Sequence, residues 1–118
     1  MIQSYKDLEV YQESYQLALQ IHQITQGFPS IERYEIGSQM RRAALSIPLN
    51  IAEGYGKKES TADFKRFLRM ALGSCNEIQV LLEFCKDLKY MDETDYQYTM
   101  EKYDVLGKRM NTLIQKWQ

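Results

Sequence analysis

The sequence predicts an all-α fold: an antiparallel, up-down-up-down four-helix bundle. Apolar residues recur at alternating steps of three and four along four long segments, which is the period of a helix with one buried face. Only two prolines and six glycines occur in 118 residues, so the chain has few places to turn. No segment alternates with a strand period, no repeat is evident and no linker divides the chain, so residues 1–118 read as a single domain.

The first helix is expected over about residues 5–26. Ser4 can cap it, and Asp7 favours its positive end. Leu8, Tyr11, Tyr15 and Ala18 make one apolar row, Val10, Leu17, Ile21 and Ile24 a second. His22 extends the first row and has no second histidine or cysteine at ligand spacing, so it reads as a satisfied, partly buried side chain and no metal is expected. Gly27 stops the helix, and Phe28-Pro29 opens a connection of about eight residues.

The second helix is expected over about 35–55 and carries two stripes. Met40, Ala44, Ile47 and Ile51 share a core face. Arg42, Ser46, Asn50 and Glu53 share another, which mixes a cation, two neutral hydrogen-bonding groups and an anion in one row. Arg42 and Glu53 stand about three turns apart, too far to pair within one helix. Pro48 lies inside this run and cannot donate to the carbonyl of Ala44, at a cost of roughly 3 kcal/mol. The apolar stripe continues through it, which predicts a kinked helix rather than two short ones. A tolerated kink and a helix that does more than fill a core both stay open.

The third helix is expected over about 61–89, capped by Ser60 with Asp63 three residues on. Phe64, Leu68, Ala71, Cys75, Ile78, Leu82 and Cys85 form its core stripe, and Asn76 and Glu77 are the polar residues nearest its middle. Cys75 and Cys85 are ten residues apart on this helix, ~15 Å of rise, so they cannot bridge. The fourth helix is expected over about 93–117, with Asp92 as cap and a stripe from Tyr96 through Thr99, Tyr103, Leu106, Met110 and Leu113 to Trp117.

Apolar residues make up 44% and charged residues 26%, ordinary for a soluble globular protein. No apolar run approaches the ~20 residues of a membrane span, and the N-terminus lacks the layout of a signal peptide. The expected compartment is the cytoplasm. All four helices carry apolar faces wider than a bundle interior needs, and nine tyrosines add to the surplus, which points to a protein interface.

The run "SQMRRAALSIPLNIAEGYGKKES", preceded by "FP" and "ERYEIG" and followed by "FKRFLRMALGSCNEIQ", resembles the four-helix bundle proteins encoded by intervening sequences in bacterial 23S rRNA genes. The accessory proteins of diversity-generating retroelements are similar. The resemblance extends from "YKDLEVYQ" to the last helix. It implies a ring-shaped homo-oligomer, with a pentamer favoured, and a nucleic-acid-associated accessory role. In the retroelement branch it implies binding to RNA and to a reverse transcriptase. Arg41, Arg42, Asn50 and Glu53 match the family's central run, and with Ser46 and Pro48 they are expected to be structural or interface residues. Arg41 or Arg42 is expected to reach Glu53 or Glu77 on a neighbouring helix or subunit and so fix the register of assembly.

Little supports an enzyme. There is one histidine, no Glu-x-x-His pair of the carboxylate bundles and no glycine-rich strand-to-helix turn. "GYGKKEST" fails as a phosphate loop: position 51 is Ile where Gly is required, Lys58 follows Gly-Lys where Ser or Thr should, and a helix precedes it. No cofactor is expected.

The net charge is −1, which does not indicate a global electrostatic grip on nucleic acid, so any such binding needs a local patch. Residues 33–69, however, hold eight basic groups against four acidic ones, whereas 1–32 and 71–118 are net negative. Lys57, Lys58, Lys65 and Arg66 adjoin at one end of an antiparallel helix pair and are expected to form a patch, with Arg69, Arg41 and Arg42 as further candidates for nucleic-acid contact. No motif with stacking aromatics points to sequence-specific readout. The competing reading is a protein–protein adaptor with no nucleic-acid role.

Overall fold

Three-four periodicity gives each long segment one buried face, and the computed structural model, which describes residues 1–118, packs four such faces together. A 3₁₀ turn over Tyr5–Asp7 precedes helix α1 (Glu9–Thr25). A short helix α2 (Ser30–Tyr34) leads into α3 (Ile36–Gly56), α4 (Thr61–Asp87) and α5 (Glu93–Lys116), and there is no strand. Around the bundle the long helices neighbour one another in the order α1, α3, α4, α5. The α3–α4 side is the most extensively packed and the α1–α5 side the least. The body measures 45 × 22 × 21 Å, and none of its helices is long and apolar enough to cross a membrane.

The core follows the expected stripes. Met40, Ala44, Ile47 and Ile51 on α3 are fully buried, as are Phe64, Leu68, Ile78 and Leu82 on α4 and Tyr103, Leu106 and Met110 on α5. A fully buried aliphatic or aromatic side chain of this kind contributes about 1.5–3 kcal/mol. Cys75 and Cys85 are free and buried. Burial pushes both thiols up to about 11, so they sit in the core as neutral small groups.

Four details differ from the sequence-based expectation. The first helix does not run unbroken from residue 5: Ser4 and Asp7 cap each other reciprocally around the short 3₁₀ turn, Leu8 is extended and buried, and the α-helix starts at Glu9. The connection after Gly27 contains α2, entered through Pro29, whose carbonyl accepts from the Arg33 amide at 2.9 Å. His22 is exposed rather than partly buried. The third long helix ends two residues early, because Lys89 takes a left-handed backbone (φ 64°) and the Tyr90 amide turns back to the Cys85 carbonyl at 2.9 Å.

Helix α3 continues through Pro48, which is itself buried. Next to it, the Asn50 side-chain amide donates to the Ser46 carbonyl at 2.8 Å. The Ser46 hydroxyl meets that of Ser74 on α4 at 2.6 Å. The middle of the polar row therefore knits α3 to itself and to α4, while Arg42 and Glu53 at its ends are exposed.

Candidate nucleic-acid interface

The α3–α4 turn is built on a close helix approach. A Cβ on Gly54 would lie 2.6 Å from the Cβ of Phe67, so only glycine lets α3 come this near to α4. Tyr55 then packs edge-on against Phe64 at 6.1 Å between ring centroids, and Phe64 against Trp117 at 4.7 Å. This places the end of α5 under the same turn and gives the turn a rigid aromatic base.

The turn itself is closed by backbone hydrogen bonds. The Lys57 amide donates to Gly54, the Lys58 amide to Tyr55 and the Ser60 amide to Lys57, at 2.9, 3.1 and 3.1 Å. The Ser60 hydroxyl accepts from the Asp63 amide at 3.2 Å and starts α4. Lys57 and Lys58 lie just beyond the C-terminus of α3, where the helix dipole favours cations.

Two aromatic rings fix three of the expected cations. Lys57 Nζ stands 5.6 Å from the Phe67 ring centroid and the Arg66 guanidinium 4.5 Å from the same centroid. Lys58 Nζ stands 4.5 Å from the Tyr55 ring. Each such contact contributes ~0.5–1 kcal/mol at an exposed site and leaves the charged head facing water. Both rings are buried, so neither offers a face on which a base can stack. Asp63 lies 3.8 Å from Arg66 and partly offsets its charge. Lys65 is half-buried on the first turn of α4, and Arg69 is exposed one turn further along.

The other two candidate cations belong elsewhere. Arg42 lies 14 residues before Gly56, the last residue of α3, about 21 Å along the helix axis from the turn. Arg41 is engaged inside the molecule: its guanidinium donates to the Thr25 hydroxyl at 2.8 Å and to the Arg33 carbonyl at 2.9 Å. It thereby ties α1, α2 and α3 together. Within the chain, neither Arg41 nor Arg42 pairs with Glu53 or Glu77, which corrects the expected pairing as far as neighbouring helices are concerned. The chain's four ion pairs are Arg66–Asp63, Lys86–Asp87, Lys108–Asp104 and Arg109–Glu13.

Sequence reasoning missed the aromatic base. Its signal is local, since Tyr55 lies two and three residues before the two lysines and Phe67 directly follows Arg66. The bonds of Arg41 have no such signal, because Thr25 is 16 residues away.

The geometry defines an all-α bundle with a cation-bearing turn at one end. The model of the 23S rRNA-intervening sequence protein family matches residues 6–112, and the chain belongs to that family. Among solved structures it is similar to a protein of unknown function from the S23 ribosomal protein family of Bacteroides thetaiotaomicron. The two share 24% sequence identity with a TM-score of 0.83, over 91% of this chain and 96% of the other, a likeness of fold. No curated protein matches the chain.

Proposed function

We propose that the protein is a non-enzymatic, oligomeric accessory or scaffold protein that binds RNA through the α3–α4 turn. The observation that carries this reading is the convergence of Lys57, Lys58 and Arg66 on the buried rings of Phe67 and Tyr55. Cations biased toward one position by a ring lose less freedom when they meet phosphates than unrestrained surface lysines do. Membership of a family defined by 23S rRNA intervening sequences supports RNA as the first ligand to try. Repeating the turn around a homo-oligomeric ring, with five copies favoured, would multiply weak phosphate contacts through effective concentration. With buried aromatics beneath it, the turn suits backbone binding without sequence readout.

A titration of binding to a structured 23S rRNA fragment against salt tests this. Phosphate-driven affinity falls with salt, with a log–log slope of about −0.7 to −0.9 per phosphate neutralised. Reversing Lys57, Lys58, Lys65 and Arg66 together to Glu is expected to lower affinity at least roughly tenfold and flatten that slope. RNA binding absent from the wild type, or indifferent to salt and to the reversal, overturns the reading in favour of a protein–protein adaptor.

A further inference from the structure

Two apolar rows lie on different sides of the bundle, and neither is covered by the chain itself. The first is in a groove of about 440 Å³ between α1 and α3, lined by Tyr15, Leu19, His22, Arg41, Arg42 and Leu45. Leu19 is 53% exposed and Leu45 51%. No acidic side chain lines this groove, and neither arginine has a carboxylate within 4.0 Å. The second is the outward ridge of α4, where Val80, Phe84 and Leu88 step by four; Val80 is 69% exposed and Phe84 53%. Exposed acids flank this ridge at Glu77, Glu83 and Asp87. Its neighbouring cation, Lys86, is already held by Asp87 at 3.5 Å and by the Tyr96 ring at 4.6 Å.

The two surfaces are complementary in shape and in charge. One is a groove between two helices with arginines and no acids. The other is a single helical ridge with apolar side chains at one-turn spacing and acids beside them. We propose that the α4 ridge of one copy seats in the α1–α3 groove of the next, with Phe84 as its central apolar anchor and the flanking carboxylates facing Arg42. Because the two surfaces differ, the contact is head-to-tail, and copies that follow one rotation close into a ring with every groove filled. The paired charges set the register of the ridge in the groove. This inference rests on the homo-oligomeric part of the function proposed above and names the surfaces that make it.

Two blocked chains test the pairing. One carries Val80→Glu and Phe84→Glu, the other Leu19→Glu and Leu45→Glu; all four positions are exposed, so each chain should keep its helical circular dichroism. Sedimentation equilibrium is expected to give an oligomer for the wild type and a monomer for each blocked chain alone. An equimolar mixture should give a 1:1 heterodimer and nothing larger, since one intact ridge meets one intact groove. That outcome also certifies that both chains are folded. Arg42→Glu, which leaves both apolar rows intact, should weaken wild-type assembly roughly tenfold. If the wild type assembles but either blocked chain still does, or the mixture stays monomeric, this pairing is wrong while the oligomeric reading stands. A monomeric wild type overturns both.

Discussion

The α3–α4 and α1–α5 sides of the bundle are built on opposite principles. Between α3 and α4 the backbones meet at Gly54 and Phe67, the hydroxyls of Ser46 and Ser74 join, and the Cys85 thiol touches the Met40 sulfur at 3.5 Å. Between α1 and α5 a groove of about 480 Å³ remains, lined by Gln12, Gln16 and Gln20 opposite Tyr98 and Lys102 and spanned by the Arg109–Glu13 ion pair at 2.5 Å. Close-packed seams resist deformation, whereas polar open ones give way to solvent. The cationic turn sits at the end of the tight seam, so its geometry is set by the stiffest part of the molecule. The open seam joins the first long helix to the last, and no connection constrains it.

The largest effect that can break this contrast is expected at Gly54. A methyl there meets the Phe67 Cβ, which cannot rotate away. Overpacking of this kind costs ~1–3 kcal/mol and outweighs the ~1 kcal/mol that alanine gains over glycine in a helix. Gly54→Ala should therefore lower the melting temperature by several degrees and loosen the Lys57–Arg66 cluster. Gly73, in the exposed middle of α4, gives the opposite sign: nothing lies within 4 Å of an added Cβ, so Gly73→Ala should stabilise by about 0.8 kcal/mol. Equal effects from the two alanines in thermal melts would mean that the α3–α4 seam is no tighter than the surface.

The tight seam is also the part most legible from the amino acids. The stripes through Met40–Ile51 and Phe64–Cys85 fix which faces of α3 and α4 meet, because the helical period leaves one choice of face. The same pattern, with one short turn between two long helices, brings Lys57, Lys58 and Arg66 to one place. The break at Leu8 is illegible for a physical reason: the Ser4–Asp7 capping signal is genuine, but it closes a 3₁₀ turn before the α-helix starts. Helix α2 is five residues long, too short for a period to show. His22 continues an apolar row in which Tyr15 is exposed while Tyr11 and Ala18 are half-buried, and periodicity alone cannot say how far a wide face is covered. Arg41 is the clearest failure of local reading, since its partners lie on two other helices.

A smaller effect is expected across the open seam. Arg109 and Glu13 pair there with side chains 50% and 32% exposed, and water screens such pairs. The hydrogen bond and charge of Glu13 raise the pKa of Arg109, which stays protonated at any working pH. Glu13→Gln should lower the melting temperature by only about 3 °C or less, and high salt should shrink the difference. A loss matching that of Gly54→Ala would show that this seam bears as much of the fold as the other.

The smallest effect belongs to the N-terminal turn that borders the open seam. The Asp7 carboxylate accepts from the Gln3 amide at 2.7 Å and the Ser4 amide at 3.2 Å, and these bonds hold its pKa below the ordinary 3.8. A carboxyl depressed in the folded state contributes stability that is present above its unfolded pKa and lost as pH falls through its folded one. Acid below about pH 4 should therefore release the turn over Tyr5–Asp7 while the buried stripes of α3 and α4 hold, with the Gln3 and Ser4 amides exchanging first in a hydrogen-exchange titration. Asp7→Asn should show that fast exchange already at neutral pH and leave the amides of Lys57 and Lys58 unchanged. If those two amides speed up together with Gln3 and Ser4, the turn and the tight seam open as one unit, and the contrast between the two sides of the bundle does not extend to their dynamics.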